Sequence, residues 1–183
     1  IVVINGEQYW QQYFPGHEVF YRRLQTSQWL LLDGRLWLRD GSGTIRVDAV
    51  LWRLGAVRPH ENHRHVLELI RLACIPCVNS AQTLLRGYDR LSMYVELMEA
   101  GLDTSSMVYA LGEHALSSFE PELPAVVKMG NFHGGYGKAL VSDASAWSDI
   151  KDLSFIAEHY VTVEPYIDYV RDIRCLAVGE QFW

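Results

Sequence analysis

The run Ala125-Val126-Val127-Lys128-Met129-Gly130-Asn131-Phe132-His133-Gly134-Gly135-Tyr136-Gly137-Lys138-Ala139-Leu140-Val141 decides the reading of this chain. A lysine stands near the end of one apolar, β-branched stretch, three glycines follow within four residues, and a second lysine opens another apolar stretch. The pattern predicts two strands, over residues 125–129 and 138–142, joined by a glycine-rich loop. Glycines let backbone N–H groups approach a phosphate closely, and the lysines supply charge. The Walker pattern is not met, because Ala139 follows Lys138 and a strand rather than a helix comes next. A ligand-free hairpin with glycines for flexibility is the competing reading of this segment taken alone.

Working toward the C-terminus, a helix is predicted over residues 146–153 and a strand over 160–164. Beyond them lies Glu164-Pro165-Tyr166-Ile167-Asp168-Tyr169-Val170-Arg171-Asp172-Ile173-Arg174-Cys175-Leu176-Ala177-Val178-Gly179. Read as a strand, its second half puts Asp172 and Arg174 on one face and Ile173 and Cys175 on the other. A surface salt bridge would explain that pair equally well. Working toward the N-terminus, a strand is predicted over 107–109. The longest helix is expected over 83–100, with Leu84, Tyr88, Leu91, Val95 and Met98 as its apolar stripe and Gly101 as its cap. That stripe, with Tyr94, reads as core.

The first 80 residues alternate strands and helices. A strand at residues 1–4 leads to a helical turn over 8–13. Residues 29–32 and 35–38 form a hairpin around Asp33-Gly34, a pair suited to a type I′ turn. A strand over 48–52, a helix over 63–73 capped by Asn62, and a short strand over 76–79 complete the unit. Arg53 at the tip of the 48–52 strand is a candidate contact for a substrate carboxylate, with a surface arginine the alternative. Cys74-Ile75-Pro76-Cys77 beside His60, His63 and His65 raises zinc or redox chemistry. A single Cys pair following a helix C-terminus matches neither pattern, so no metal ligand is assigned.

The 183 residues carry 16 Lys+Arg against 22 Asp+Glu, a net charge of −6, which argues against bulk nucleic acid or an anionic membrane as the main partner. No apolar stretch reaches the roughly 20 residues of a membrane helix. Three cysteines, which cannot all pair within one chain, suit a reducing, cytoplasmic setting.

Together the glycine loop and the Asp172-Ile173-Arg174-Cys175-Leu176 segment resemble the ATP-grasp superfamily. The loop is similar to that of synapsin, and the second segment resembles ribosomal-protein glutamate ligases and glutathione synthetase. Asn79-Ser80 with Tyr88-Asp89-Arg90 resembles the family's approach to its ATP-binding region. The resemblance implies a fold of α/β and α+β parts. These are an N-terminal α/β domain (1–79), a central ATP-grasp subdomain (80–165), and the start of a C-terminal subdomain (166–183) expected to be truncated by the stop at Trp183.

By the same resemblance, Lys128 and Arg90 contact phosphates, Arg90 standing where the family usually has Lys. His133, Gly134, Gly135, Tyr136, Gly137 and Lys138 cover the triphosphate, although for His133 a solvated loop residue is the competing reading. Glu164, Pro165, Tyr166 and Ile167 form the hinge that holds the adenine. Asp172 serves the ribose, with Asp168 in reserve, and Arg174 is the catalytic residue at the γ-phosphate. The implied cofactors are ATP and Mg²⁺, with the magnesium ligands expected beyond residue 183. The implied reaction is carbon–nitrogen ligation through an acyl phosphate, on a small amino-acid or peptide substrate, with a homodimer left open. A synapsin-like nucleotide-binding scaffold without turnover is the alternative.

Overall fold

The computed structural model describes every residue except 56–58, 105, 113, 158 and 159; side chains 155–157 are also left aside. The chain divides into two compact units. One comprises Ile1–Thr104 with Asn131–Gly137, and the other Ser105–Gly130 with Lys138–Trp183.

In the first unit β1 (Val2–Ile4), β2 (Phe20–Arg22), β6 (Val50–Trp52) and β7 (Cys77–Val78) make a parallel sheet in the order β2-β1-β6-β7. Between them β3 (Gln28–Leu32), β4 (Arg35–Asp40) and β5 (Gly43–Val47) form an antiparallel meander. The β3–β4 turn is the predicted one, with Asp33 at φ 49° and Gly34 at φ 70°, as a type I′ geometry requires. The three-residue central strands are apolar throughout because parallel strands are covered on both faces. Val2, Ile4 and Val50 pack with Val66, Leu67 and Ile70 from α1 (Glu61–Leu72), and Leu36, Leu38 and Val47 of the meander join the same core.

Helix α1 starts two residues earlier than the sequence pattern indicates, and its cap is His60 rather than Asn62. The imidazole Nδ1 of His60 accepts the Asn62 N–H at 3.1 Å, and the His60 N–H donates to Nδ1 of His63 at 3.3 Å. Two histidines thus perform the reciprocal job that Ser/Thr and Glu perform in an ordinary capping box.

The expected long helix is two helices, α2 (Ala81–Arg86) and α3 (Arg90–Glu99). Gly87 ends the first, and Asp89 starts the second by accepting the Ser92 N–H at 2.8 Å. A carboxylate cap competes with helix continuation, which an apolar periodicity cannot register. The break also divides the stripe: Leu84 and Tyr88 pack against the first unit's core, whereas Leu91, Val95 and Met98 are exposed and α3 has no buried residue.

In the second unit β8 (Val108–Leu111), β9 (Ala125–Met129), β10 (Lys138–Val141) and β11 (Tyr160–Pro165) form an antiparallel sheet in the order β10-β9-β11-β8. Helix α4 (Ala144–Ala157) is the longest in the chain. Its Trp147 packs with Val127, Val141, Val161 and Val163, all on one sheet face. The strand expected around Asp172–Arg174 is not formed. Residues 166–176 run as exposed coil, and only Ala177–Val178 (β12) pairs, with Gln181–Phe182 (β13). A strand exists through its hydrogen-bonded neighbour, and alternation alone supplies none. No helix among the described residues is long and apolar enough to cross a membrane.

Gly6, just after β1, has no room for a side chain: a Cβ there would lie 2.3 Å from Cγ1 of the fully buried Val3. Val3 is β-branched and locked in the core, so it cannot yield by a rotamer change. Gly6→Ala is expected to lower unfolding free energy by about 1–3 kcal/mol in urea titrations.

Candidate functional site

The antiparallel register of the second unit sets Lys128 opposite Thr162 on β11 and opposite Lys138 on β10. Glu164, two residues along β11, shares that face and lies on the diagonal from Lys128. Lys128 Nζ donates to both Glu164 oxygens, at 2.6 and 2.5 Å, with both side chains about four-fifths buried. Thr162 is fully buried between them in sequence, and its Oγ1 has no partner. The same face carries Tyr109 and Tyr160, stacked at 4.9 Å. The sheet therefore has one face sealed by α4 and one face of paired charge and aromatic rings. Lys128 is thus a largely buried ammonium held by a carboxylate in charge-assisted hydrogen bonds.

At the end of β11 a cavity of about 270 Å³ is lined by Glu164 and Pro165 together with Met107, Phe119 and Pro121. The Tyr166 N–H donates to the Pro124 carbonyl at 3.0 Å and is committed there, while Ile167 is exposed and its carbonyl accepts from Tyr169 N–H. Asp168, Asp172 and Arg174 lie in the exposed coil after β11; the described structure does not bring them to Lys128 or Glu164 by any hydrogen bond or ion pair.

The glycine loop belongs by its contacts to the first unit. Arg90, the first residue of α3, donates from Nη2 to the Phe132 carbonyl at 2.8 Å. Asn131 Nδ2 donates to the Tyr88 carbonyl at 2.9 Å. The break between α2 and α3 exposes the carbonyl that Asn131 takes, so the loop is fastened where the helix is interrupted. Arg90 Nε and Asn131 Oδ1 are both buried without a partner, leaving polar capacity beside the loop that a ligand can use. Gly134, Gly135 and Gly137 have φ of 68°, 84° and 60°. At Gly137 a Cβ would also meet the Phe132 ring at 2.8 Å. Burial, with the Arg90 charge adding to it, holds His133 below the ordinary histidine value. His133 and Gly134 reach a cavity of about 460 Å³ that is also walled by Trp52, His63 and Tyr88. Tyr136 is exposed.

Sequence reasoning passed over Asn131, Thr162 and the Tyr109–Tyr160 stack. Asn131 sits in the quoted run, but its partner is 43 positions away, and the two tyrosines meet only through strand pairing. Among the described residues no three His, Cys, Asp or Glu side chains converge as a cation site. Cys74, Cys77 and Cys175 are unpaired thiols, and burial pushes Cys77 up to about 11, far from a reactive thiolate.

Residues 106–183 match the family described as synapsin, ATP binding domain. The fold is also that of a RimK-domain ATP-grasp protein from Sphaerobacter thermophilus, with a TM-score of 0.64 at 21% identity over 91% of this chain. The chain has the ATP-grasp fold. Other ATP-grasp structures align as well. D-alanyl-alanine synthetase A from Vibrio cholerae gives a TM-score of 0.63 at 11% identity over 100% of this chain. D-alanine-D-alanine ligase from Helicobacter pylori gives 0.55 at 15% identity over 85%. This chain spans 64%, 63% and 51% of those three proteins respectively.

Two outcomes test the geometry. Gly137→Ala should displace Phe132 and with it the Arg90 anchor, raising amide hydrogen exchange across residues 131–137 by about tenfold or more while leaving β3–β4 unchanged. Burial also holds His63 below the ordinary value of about 6.5, with the His60 charge contributing. For both His63 and His133 the unfolded chain takes up a proton more readily than the folded one. Their contribution to stability is therefore present above pH 6.5 and lost as the pH falls below it. Urea melts from pH 8 to pH 5 should show that loss, and a His63→Gln, His133→Gln double variant should flatten it.

Proposed function

We propose that this chain is the nucleotide-binding part of an ATP-dependent carboxylate–amine ligase. The observation that carries the reading is the Lys128–Glu164 pair on the polar sheet face, with Lys128 in the strand that feeds a loop of three positive-φ glycines. The match to a synapsin ATP-binding domain and the likeness to two D-alanine ligases by fold support it.

ATP suits the residues present. Lys128 would exchange Glu164 for an α- or β-phosphate oxygen, and the released Glu164 would accept a hydrogen bond from the adenine amino group. Backbone N–H groups of Gly134, Gly135 and Gly137, with Lys138 at the loop's far end, would cover the triphosphate. Arg90, through its buried Nε, and His133 would support the loop from the first unit. Pro165, Tyr166 and Ile167 would border the base, with the Tyr166 carbonyl rather than its committed N–H facing it. Asp172 would serve the ribose and Arg174 the phosphoryl group being transferred. Both need that exposed coil to become ordered when ligand binds.

Bound ATP would supply the phosphoryl group that activates a substrate carboxylate for attack by an amine. Magnesium is part of the proposal only as a companion of ATP. No cluster among the described residues fits it. The substrate class proposed is a small amino acid or peptide, in the cytoplasm. A second reading, a synapsin-like nucleotide-binding scaffold, is favoured by the family match at residues 106–183.

Lys128→Ala should weaken ATP binding severalfold or more in calorimetry, and unchanged affinity would remove Lys128 from the site. Release of phosphate from ATP that depends on an added amino acid or peptide, measured on the full-length protein, separates ligase from scaffold.

A further inference from the structure

The meander β3-β4-β5 of the first unit has two unlike faces. Alternation sends Trp29, Leu36, Leu38 and Val47 to the core side. The same alternation turns Leu30, Leu32, Arg35, Trp37, Arg39 and Arg46 the other way. Leu30 and Leu32 are 56% and 53% exposed, the three arginines are exposed, and Trp37 is half-buried. The remaining outward positions, Gln28 and Thr44, are neutral. These described strands therefore carry three cations and no carboxylate on one face, in a chain whose net charge is −6.

Two of the cations are free. Arg46 Nε pairs with Asp48 Oδ1 at 2.8 Å, and Glu18 borders the shallow cavity that Trp37 shares with Arg46, so charge at the β5 edge is balanced. Asp40, at the end of β4, lies on the opposite face and is held by Arg22. Arg35 and Arg39 have no ion-pair or hydrogen-bond partner among the described residues. A single exposed leucine is ordinary, but here Leu30 stands opposite Trp37 and Leu32 opposite Arg35, which makes an apolar strip beside the free guanidiniums.

The line Arg35-Trp37-Arg39 defines what can lie on this face. At about 3.3 Å per residue the two arginines stand ~13 Å apart along β4, with the indole midway. An extended peptide with acidic residues four positions apart and an apolar residue between them has the same repeat. Its carboxylates can meet the guanidinium forks while its apolar side chain covers Trp37 and Leu30. A second copy of this chain does not suit the face, because an isologous pairing about Trp37 sets arginine against arginine. Single-stranded nucleic acid suits it less, since bases call for successive aromatic rings and the face offers one ring beside leucines.

We infer that the outer face of β3-β4-β5 docks an acidic, extended peptide segment of a partner protein, its carboxylates received by Arg35 and Arg39 and its apolar residue by Trp37, Leu30 and Leu32. These few side chains fall well short of the roughly 20–30 residues per side of a standard interface, so the contact is a weak, transient one. No residue of the nucleotide reading takes part, and the test contains no nucleotide, so either can fail without the other.

The probe is the peptide Ac-Glu-Thr-Leu-Thr-Glu-NH2, titrated into the ¹⁵N-labelled full-length protein and followed at the backbone amides of β3, β4 and β5. The expected result is a set of saturable shifts centred on those strands. Ac-Gln-Thr-Leu-Thr-Gln-NH2, which keeps the shape and loses the charge, should bind about tenfold more weakly. Raising the salt from about 0.05 M to 0.5 M should weaken the glutamate peptide severalfold, because exposed ion pairs are screened. Arg35→Gln combined with Arg39→Gln should weaken it about tenfold and leave the glutamine peptide unaffected. Equal affinity for the two peptides, no saturable shift, or tighter binding of oligothymidylate or of phosphatidylserine vesicles at the same amides would each overturn the inference. Should the double variant fold poorly, the comparison of the two peptides on the unaltered protein decides alone.

Discussion

The two-residue alternation shared by β9 and β11 organises the second unit. With Lys128 opposite Thr162 and Val127 opposite Val163, one register sends valines to α4 and polar groups to the other face. Moving β11 by a single residue would bury Glu164 under Trp147 and turn the valines outward, a change that the burial of Val127, Val161 and Val163 forbids. Each valine contributes about 1.5–3 kcal/mol by leaving water. The position of the Lys128–Glu164 pair is therefore a by-product of hydrophobic packing on the opposite side of the sheet. The pair is not what holds the sheet together.

The first unit shows a different economy, in which interruptions are used as anchors. Gly87 and Asp89 break what periodicity reads as one helix, and the break frees the Tyr88 carbonyl for Asn131 and places Arg90 at a helix start, within reach of Phe132. A glycine loop with three residues at positive φ has high conformational entropy when free. Two hydrogen bonds at its first two residues remove part of that freedom before any ligand arrives, and leave Gly134 and Gly135 to respond. His60 and His63 use side chains in the same way: each imidazole accepts a backbone N–H at the start of α1, so the helix end is closed before any other contact is made.

Much of the architecture was legible from local pattern because local chemistry decides it. The Asp33-Gly34 turn, the 3-10 helix at Gln8–Tyr13, and strands β9, β10 and β11 all sit where residue type and alternation place them. The misreadings share a cause. Asn62 reads as the α1 cap because Asn is a frequent cap, whereas the real one depends on two imidazoles that each accept a backbone N–H. The Asp172–Arg174 strand failed because alternation describes the faces of a strand without supplying the neighbour that must hydrogen-bond to it. The α3 stripe failed because a heptad-like spacing says that a face is apolar and is silent about whether anything packs on it.

What the sequence determined by itself was local: the strand that carries Lys128 and the glycines after it are contiguous features, so residue order alone carries them. Only the tertiary structure decided which groups are committed and which remain available. It spends the Tyr166 N–H on Pro124, one arm of Arg90 on Phe132, and Lys128 on Glu164, while it leaves Trp29 Nε1, Arg90 Nε and Thr162 Oγ1 without partners among the described residues. The reason is physical. Composition sets how many donors and acceptors a chain owns, but pairing is a matter of distance across strands and helices far apart in sequence, and only folding fixes those distances.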